Sequence, residues 1–162
     1  MLHDKPSAAK TLNEFSKWDR KANLELLQEA YILSVIDHPN IVHPCGLCLS
    51  PLILALEYMA DGSLVGYLHS DLARQNSHLR DLSMICVQVA EACQYLESKS
   101  IIHRDISAKN CLIKLVEHSF KIEVCKLSDF GLAKDVNCTP YKAHGDMVCS
   151  FTFKRVLMCL LL

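Results

Sequence analysis

Apolar residues recur along this chain with two different periods. Between Leu79 and Lys99, Leu82, Ile85, Val89, Cys93 and Leu96 fall three and four residues apart with no Gly or Pro, which predicts an amphipathic helix. A second helix is predicted from about Trp18 to Val35, with Leu24, Leu27, Ala30, Tyr31 and Val35 on one face. "DHPN" ends it, because the residue before a proline is pushed out of helical conformation. "PSAAKTL" reads as a short strand. "IVHPCGLCL" and "LILALEYM" read as a strand pair, "ADGS" as a turn, and Leu64 to His69 as a short helix. Later come the apolar pairs and runs Ile101-Ile102, "CLIKL" and "FKIEVCKLS". Strands first and helices later predict an α+β fold with a small sheet lobe and a helical lobe. Beyond Asp146, "MVCSFTFKRVLMCLLL" has neither turn residues nor a clear period and reads as a separate tail.

Composition narrows the class. The 162 residues are 51% hydrophobic and 22% charged, enough for a globular core and too apolar for a disordered chain. A net charge of −1, from 17 basic and 18 acidic residues, argues against a nucleic-acid or polybasic membrane surface. Nine cysteines, an odd number scattered through apolar segments, read as small buried hydrophobes in a reducing compartment. The start "MLHDKPSAAK" has no apolar core of signal-peptide length, and no apolar stretch is as long as a membrane span, so a cytoplasmic location is expected. "CGLC" has zinc-ligand spacing but no second pair, and its cysteines read as core residues. Asn137-Cys138-Thr139 fits a glycosylation sequon, and "CLLL" from Cys159 fits a prenylation box with little basic charge upstream.

The chemistry concentrates in "IIHRDISAKNCLI". Two apolar ends hold a loop carrying His103, Arg104, Asp105 and Asn110. Asp129-Phe130-Gly131 follows nineteen residues after Asn110. Phosphoryl transfer needs a carboxylate to receive a hydroxyl proton and oxygen ligands for Mg²⁺ on ATP phosphates. Asp105 fits the base, Asn110 and Asp129 the metal ligands, and Gly131 a sharp backbone turn beside the metal.

In these motifs the sequence resembles the protein-kinase family. "HRDISAKN" is similar to the catalytic loop and "SDFGLAKD" to the metal-binding loop. "SAAKTL" resembles the third-strand motif, which implies Lys10 on the ATP phosphates. "LLQEAYILSVIDHPNIV" resembles the regulatory helix, which implies that Glu29 pairs with Lys10. "PLILALEYMADGSL" resembles the strand and hinge that hold adenine, which implies Leu56 as gatekeeper and the backbone from Glu57 to Met59 as the adenine contact. Ser107 stands where serine/threonine kinases carry lysine, and Lys109 where tyrosine kinases carry the arginine of "HRDLAARN". The loop is most similar to the Ros, anaplastic-lymphoma and insulin-receptor branch of receptor tyrosine kinases.

That resemblance implies transfer of the ATP γ-phosphoryl group to a tyrosine hydroxyl on a protein substrate. Lys109 would offset phosphoryl charge, and Arg104 would anchor the loop to a phosphorylated Tyr141. It divides the chain into residues 1–59, a partial sheet lobe; 60–146, a partial helical lobe; and 147–162, a divergent tail. The sequence has no glycine-rich loop before Lys10 and no A-P-E motif after Tyr141, so an incomplete domain is expected. An interaction protein that binds a partner kinase chain is the alternative function. No basic face or recognition motif points to nucleic acid.

Overall fold

A computed structural model describes residues 6–70, 79–117 and 121–137. The first layer is a three-stranded antiparallel sheet of β1 (Ser7–Thr11), β2 (Pro44–Leu49) and β3 (Leu52–Glu57), in the order β1-β3-β2. The register sets Lys10 opposite Leu54, Ala8 opposite Leu56 and Ser7 opposite Glu57. Side chains alternate across a strand, so Ala8 and Lys10 share one face.

Helix α1 (Arg20–Ser34) packs on this sheet. Asp19 caps it, its carboxylate accepting from the Lys21 N–H at 2.8 Å. Its buried face is Leu26, Glu29, Ala30, Ile32 and Leu33. This corrects the face read from apolar spacing: of those five residues only Ala30 is buried. Leu24, Tyr31 and Val35 are about half exposed and Leu27 is 37% exposed. The buried stripe was hidden because Glu29, a charged residue, sits in its middle. The spacing instead picked out a second apolar stripe on the opposite side of the helix.

The helical layer holds α2 (Leu64–His69), capped by the Ser63 hydroxyl, and α3 (Leu79–Ser98). On α3, Ile85, Val89, Cys93 and Leu96 are at most 3% exposed. Ser100, in left-handed conformation at φ 58°, turns the chain out of α3. Two small antiparallel ribbons follow. β4 (Ile101–Ile102) pairs with β7 (Lys134–Asp135), and β5 (Cys111–Leu115) with β6 (Ile122–Leu127). A 3-10 turn at Ala108–Asn110 leads into β5. The loop between β4 and β5 is therefore held at both ends by pairing to the two strands that flank Asp129.

One apolar core joins the layers, running from Leu26 and Leu33 on α1 through Phe130 and Leu127 to Ile113 and Val89. The architecture is α+β. Cys86, Cys93, Cys111 and Cys125 are buried thiols, but Cys48 is exposed because β2 is an edge strand. No metal-binding cluster of His, Cys, Asp or Glu occurs among the described residues, "CGLC" included. No helix among them is long and apolar enough to cross a membrane.

Candidate active site

The loop from His103 to Asn110 is built around a buried imidazole. His103 is 1% exposed. Its Nδ1 accepts from the Asp105 N–H at 3.2 Å, which assigns the proton to Nε2, and Nε2 donates to Ser128 O at 3.0 Å. The ring meets Phe130 edge-on at 4.6 Å. Burial holds this imidazole below its ordinary pKa of 6.5, in the neutral form that the two hydrogen bonds need. Arg104 adopts φ 70° and donates from Nε to Leu132 O.

Asp105 Oδ2 lies 3.0 Å from Lys109 Nζ and accepts from Asn110 Nδ2 at 2.9 Å. The Lys109 hydrogen bond is the main cause that holds the Asp105 carboxyl below its ordinary range. Asn110 Nδ2 also donates to Asp105 O at 2.8 Å. With its nitrogen committed, Asn110 offers its amide oxygen as an acceptor. Its backbone carbonyl accepts both the N–H and the hydroxyl of Ser128, at 2.8 and 2.9 Å. The loop and the Asp129 segment are thus stitched together one residue before Asp129.

Asp129 itself is left-handed at φ 62°. The turn expected at Gly131 follows directly, closed by the Ala133 N–H on Phe130 O at 2.9 Å. A Cβ at Gly131 would stand at ordinary contact distance, 3.4 Å from Asp129 Oδ1 and 3.5 Å from Glu29 Oε2. Lys10 Nζ bridges the same two carboxylates, at 2.7 Å to Glu29 Oε2 and 2.8 Å to Asp129 Oδ1. Glu29 is 1% exposed and accepts from the Phe130 N–H at 3.3 Å through its other oxygen.

The charges follow from this geometry. Burial is the largest single influence on Lys10 and works against its charge, but the two carboxylates outweigh it and raise its pKa. For Asp129 burial again opposes ionisation, and Lys10 outweighs it, holding the carboxyl below its ordinary range. Glu29 is buried most deeply, and burial pushes its carboxyl up in spite of Lys10. A hollow of about 250 Å³ opens in front of this cluster, lined by Lys10, Leu26, Glu29, Asp129, Gly131 and Leu132 among others.

Leu56, Glu57 and Met59 lie at the end of β3 and just beyond. Leu56 is half-buried against the core, with Ala8 on one side and Pro44 on the other. The Glu57 N–H donates to His43 O at 2.9 Å. Its carboxylate accepts from the His43 N–H and Lys126 Nζ, both at 2.7 Å, so the Glu57 side chain is occupied with holding the segment in place. Met59 is buried. Tyr141, Cys159 and residues 147–162 lie outside the described residues, as does most of the Asn137 sequon. Sequence reasoning gave His103 and Ser128 no role, although they join the two loops. The signal for His103 was a histidine directly after an isoleucine pair whose first member, Ile101, is buried.

Comparison with known proteins places this geometry. Residues 2–153 match the family model described as protein tyrosine and serine/threonine kinase. The receptor tyrosine-protein kinase erbB-4 of Mus musculus is 41% identical over 130 residues, covering 80% of this chain and 9% of that protein. The proto-oncogene tyrosine-protein kinase ROS of Rattus norvegicus is 38% identical over 135 residues, covering 80% and 6%. The transforming protein ros of UR2 avian sarcoma virus is 38% identical over 142 residues, covering 83% and 34%. The chain therefore spans less than a tenth of the length of the two cellular receptors it matches. With the family model matched over most of its length, and with both signature loops joined in space, this chain belongs to the protein tyrosine and serine/threonine kinase family.

Proposed function

We propose that this chain carries the catalytic machinery of a protein-tyrosine kinase, which transfers the γ-phosphoryl group of ATP to a tyrosine hydroxyl of a protein substrate. The observation that carries the reading is the Lys10 bridge to Glu29 and Asp129, set beside an Asp105–Asn110 pair stitched to the same segment. In this reading residues 1–59 form the nucleotide-facing sheet lobe and 60–146 the helical lobe, with 147–162 apart from both. The working location is the cytoplasmic side of a membrane or the cytoplasm.

Each role rests on chemistry. Asp105, held ionised by Lys109, accepts the proton of the tyrosine hydroxyl as that oxygen attacks. Lys10, fixed by Glu29, supplies a positive charge to the ATP phosphates, and Lys109 offsets charge on the transferred group. The Asn110 amide oxygen and the Asp129 carboxylate form a hard oxygen donor set, which fits Mg²⁺. Bound there, Mg²⁺ supplies charge neutralisation to the phosphates. Leu56 and the backbone from Glu57 to Met59 bound the adenine side, and Arg104 receives a phosphorylated Tyr141.

The test is binding of a non-hydrolysable ATP analogue to the purified chain, with and without Mg²⁺. Saturable, Mg²⁺-dependent binding that falls at least tenfold in Asp129→Asn is expected. A folded chain that binds no nucleotide would overturn the reading.

A further inference from the structure

One polar group in the loop from His103 to Asn110 takes no part in its hydrogen bonds. Among the described residues, the Ser107 hydroxyl oxygen is buried and has no hydrogen-bond partner. Burying a hydroxyl without a partner is unfavourable, so its presence in a folded loop calls for a reason.

The local duties of a serine at this place are filled by other atoms. Ser107 is the N-cap of the 3-10 turn Ala108–Asn110, where a serine hydroxyl ordinarily accepts from an N–H of the first turn. It does not do so here. The Asn110 N–H goes instead to the backbone carbonyl of Ser107, at 3.0 Å. Set against "HRDLAARN", the segment "HRDISAKN" has Ser107 over an alanine, so closing such a loop requires no hydroxyl there.

Its neighbours fix where the hydroxyl stands. Asp105 Oδ2 takes both Lys109 Nζ, at 3.0 Å, and Asn110 Nδ2, at 2.9 Å, which draws residues 105–110 into a tight loop. Ser107 lies midway, and two residues of chain put its Cα within about 7 Å of those of Asp105 and Lys109. The residue as a whole is only half-buried, so rotation about χ1 to another staggered well can carry Oγ out of its buried position. A neutral hydroxyl with a free proton is best matched by an anionic oxygen. In the reaction assigned above, such oxygens arrive on the phosphoryl group whose charge Lys109 offsets.

We infer that the Ser107 hydroxyl donates to a non-bridging oxygen of the γ-phosphoryl group of ATP, a neutral donor beside the charge of Lys109. The inference rests on the kinase reading of the site and adds to it a contact that belongs to this chain's own serine. ADP lacks the γ-phosphoryl group, so the contact separates the two nucleotides.

The test compares wild type with Ser107→Ala in the full chain. The affinities for ADP and for a non-hydrolysable ATP analogue, both with Mg²⁺, are measured alongside Tm without nucleotide. Loss of a hydrogen bond to a charged acceptor weakens binding roughly tenfold. Ser107→Ala is expected to lose that factor for the ATP analogue and nothing for ADP. Without nucleotide it should melt no lower than wild type, because no partner within the fold is lost. A lower Tm would show that the hydroxyl caps the turn in solution, and would overturn the inference. An unchanged affinity for the ATP analogue, or an equal loss for both nucleotides, would do the same. Wild type that binds neither nucleotide would bring down the kinase reading itself, and the inference with it.

Discussion

At the scale of single residues, the site depends on groups whose charge is set by what they touch. His103 is the least exposed of its titratable members apart from Glu29, and it is useful only when neutral, accepting at one nitrogen and donating at the other. Because burial lowers its pKa in the folded chain, protonation favours the unfolded one. The stabilising contribution is complete above the unfolded value of about 6.5 and is lost as pH falls below it. The expected outcome is a fall in urea midpoint as pH drops below about 6.5, flattened in His103→Gln. Asp105 and Asp129, both held below 3.8 in the folded chain, contribute above that value and lose their contribution only as pH drops further. An acid titration that showed no decline until below pH 4 would contradict the role given to His103.

These residues also show what a sequence reader can and cannot see. Asp105, Asn110 and Asp129 were legible because phosphoryl transfer demands those types and the spacing was short. The sharp turn read at Gly131 is there, but the left-handed residue is Asp129 two positions earlier, which no local feature of the sequence marked.

At the scale of elements, α1 carries the most. It presents Glu29 inward, holds Ala133 through Gln28, and shows a second apolar stripe outward. Its start is set by the Asp19 carboxylate on the Lys21 N–H. Replacing Asp19 with alanine leaves that N–H without its partner and should cost about 1 kcal/mol of stability. Because the first turn would fray before the rest, amide exchange should quicken at residues 20–23 and stay slow around Leu33. Uniform acceleration along α1 would mean that the cap does not act locally. The extents of α2 and α3 were read correctly from periodicity and turn residues, since both have a single buried side. For α1 the extent was right and the side was wrong, because periodicity reports an apolar stripe but not what faces it.

For the molecule as a whole, the site is a junction. Lys10 comes from the sheet, Glu29 from α1, Asp105 and Asn110 from the loop after β4, and Asp129 from the end of β6. A ligand that touches all four binds the folded arrangement and not the unfolded chain. Saturating Mg²⁺ with the ATP analogue, at about 100 times its Kd, should therefore stabilise the chain by roughly 2.7 kcal/mol. The increase should be seen in the unfolding of both layers, followed by amide exchange at buried Leu33 of α1 and buried Val89 of α3. Stabilisation confined to one signal would mean that the layers unfold separately and that the ligand rests on only one of them.

By itself the sequence determined the inventory: the α+β class, the order of the helices and of every strand but the short β7, and the residue types of a phosphoryl-transfer site. It could do so because backbone periodicity, turn residues and short motifs are local properties, written within a few positions of one another. Only the tertiary structure decided the arrangement. It brought Lys10 to Asp129 across 119 residues of chain, put Glu29 in the core and three apolar residues of α1 on the surface, and made His103 the joint between two loops. Those outcomes depend on which faces meet when the layers pack, and the free energy of packing is shared among residues far apart in sequence.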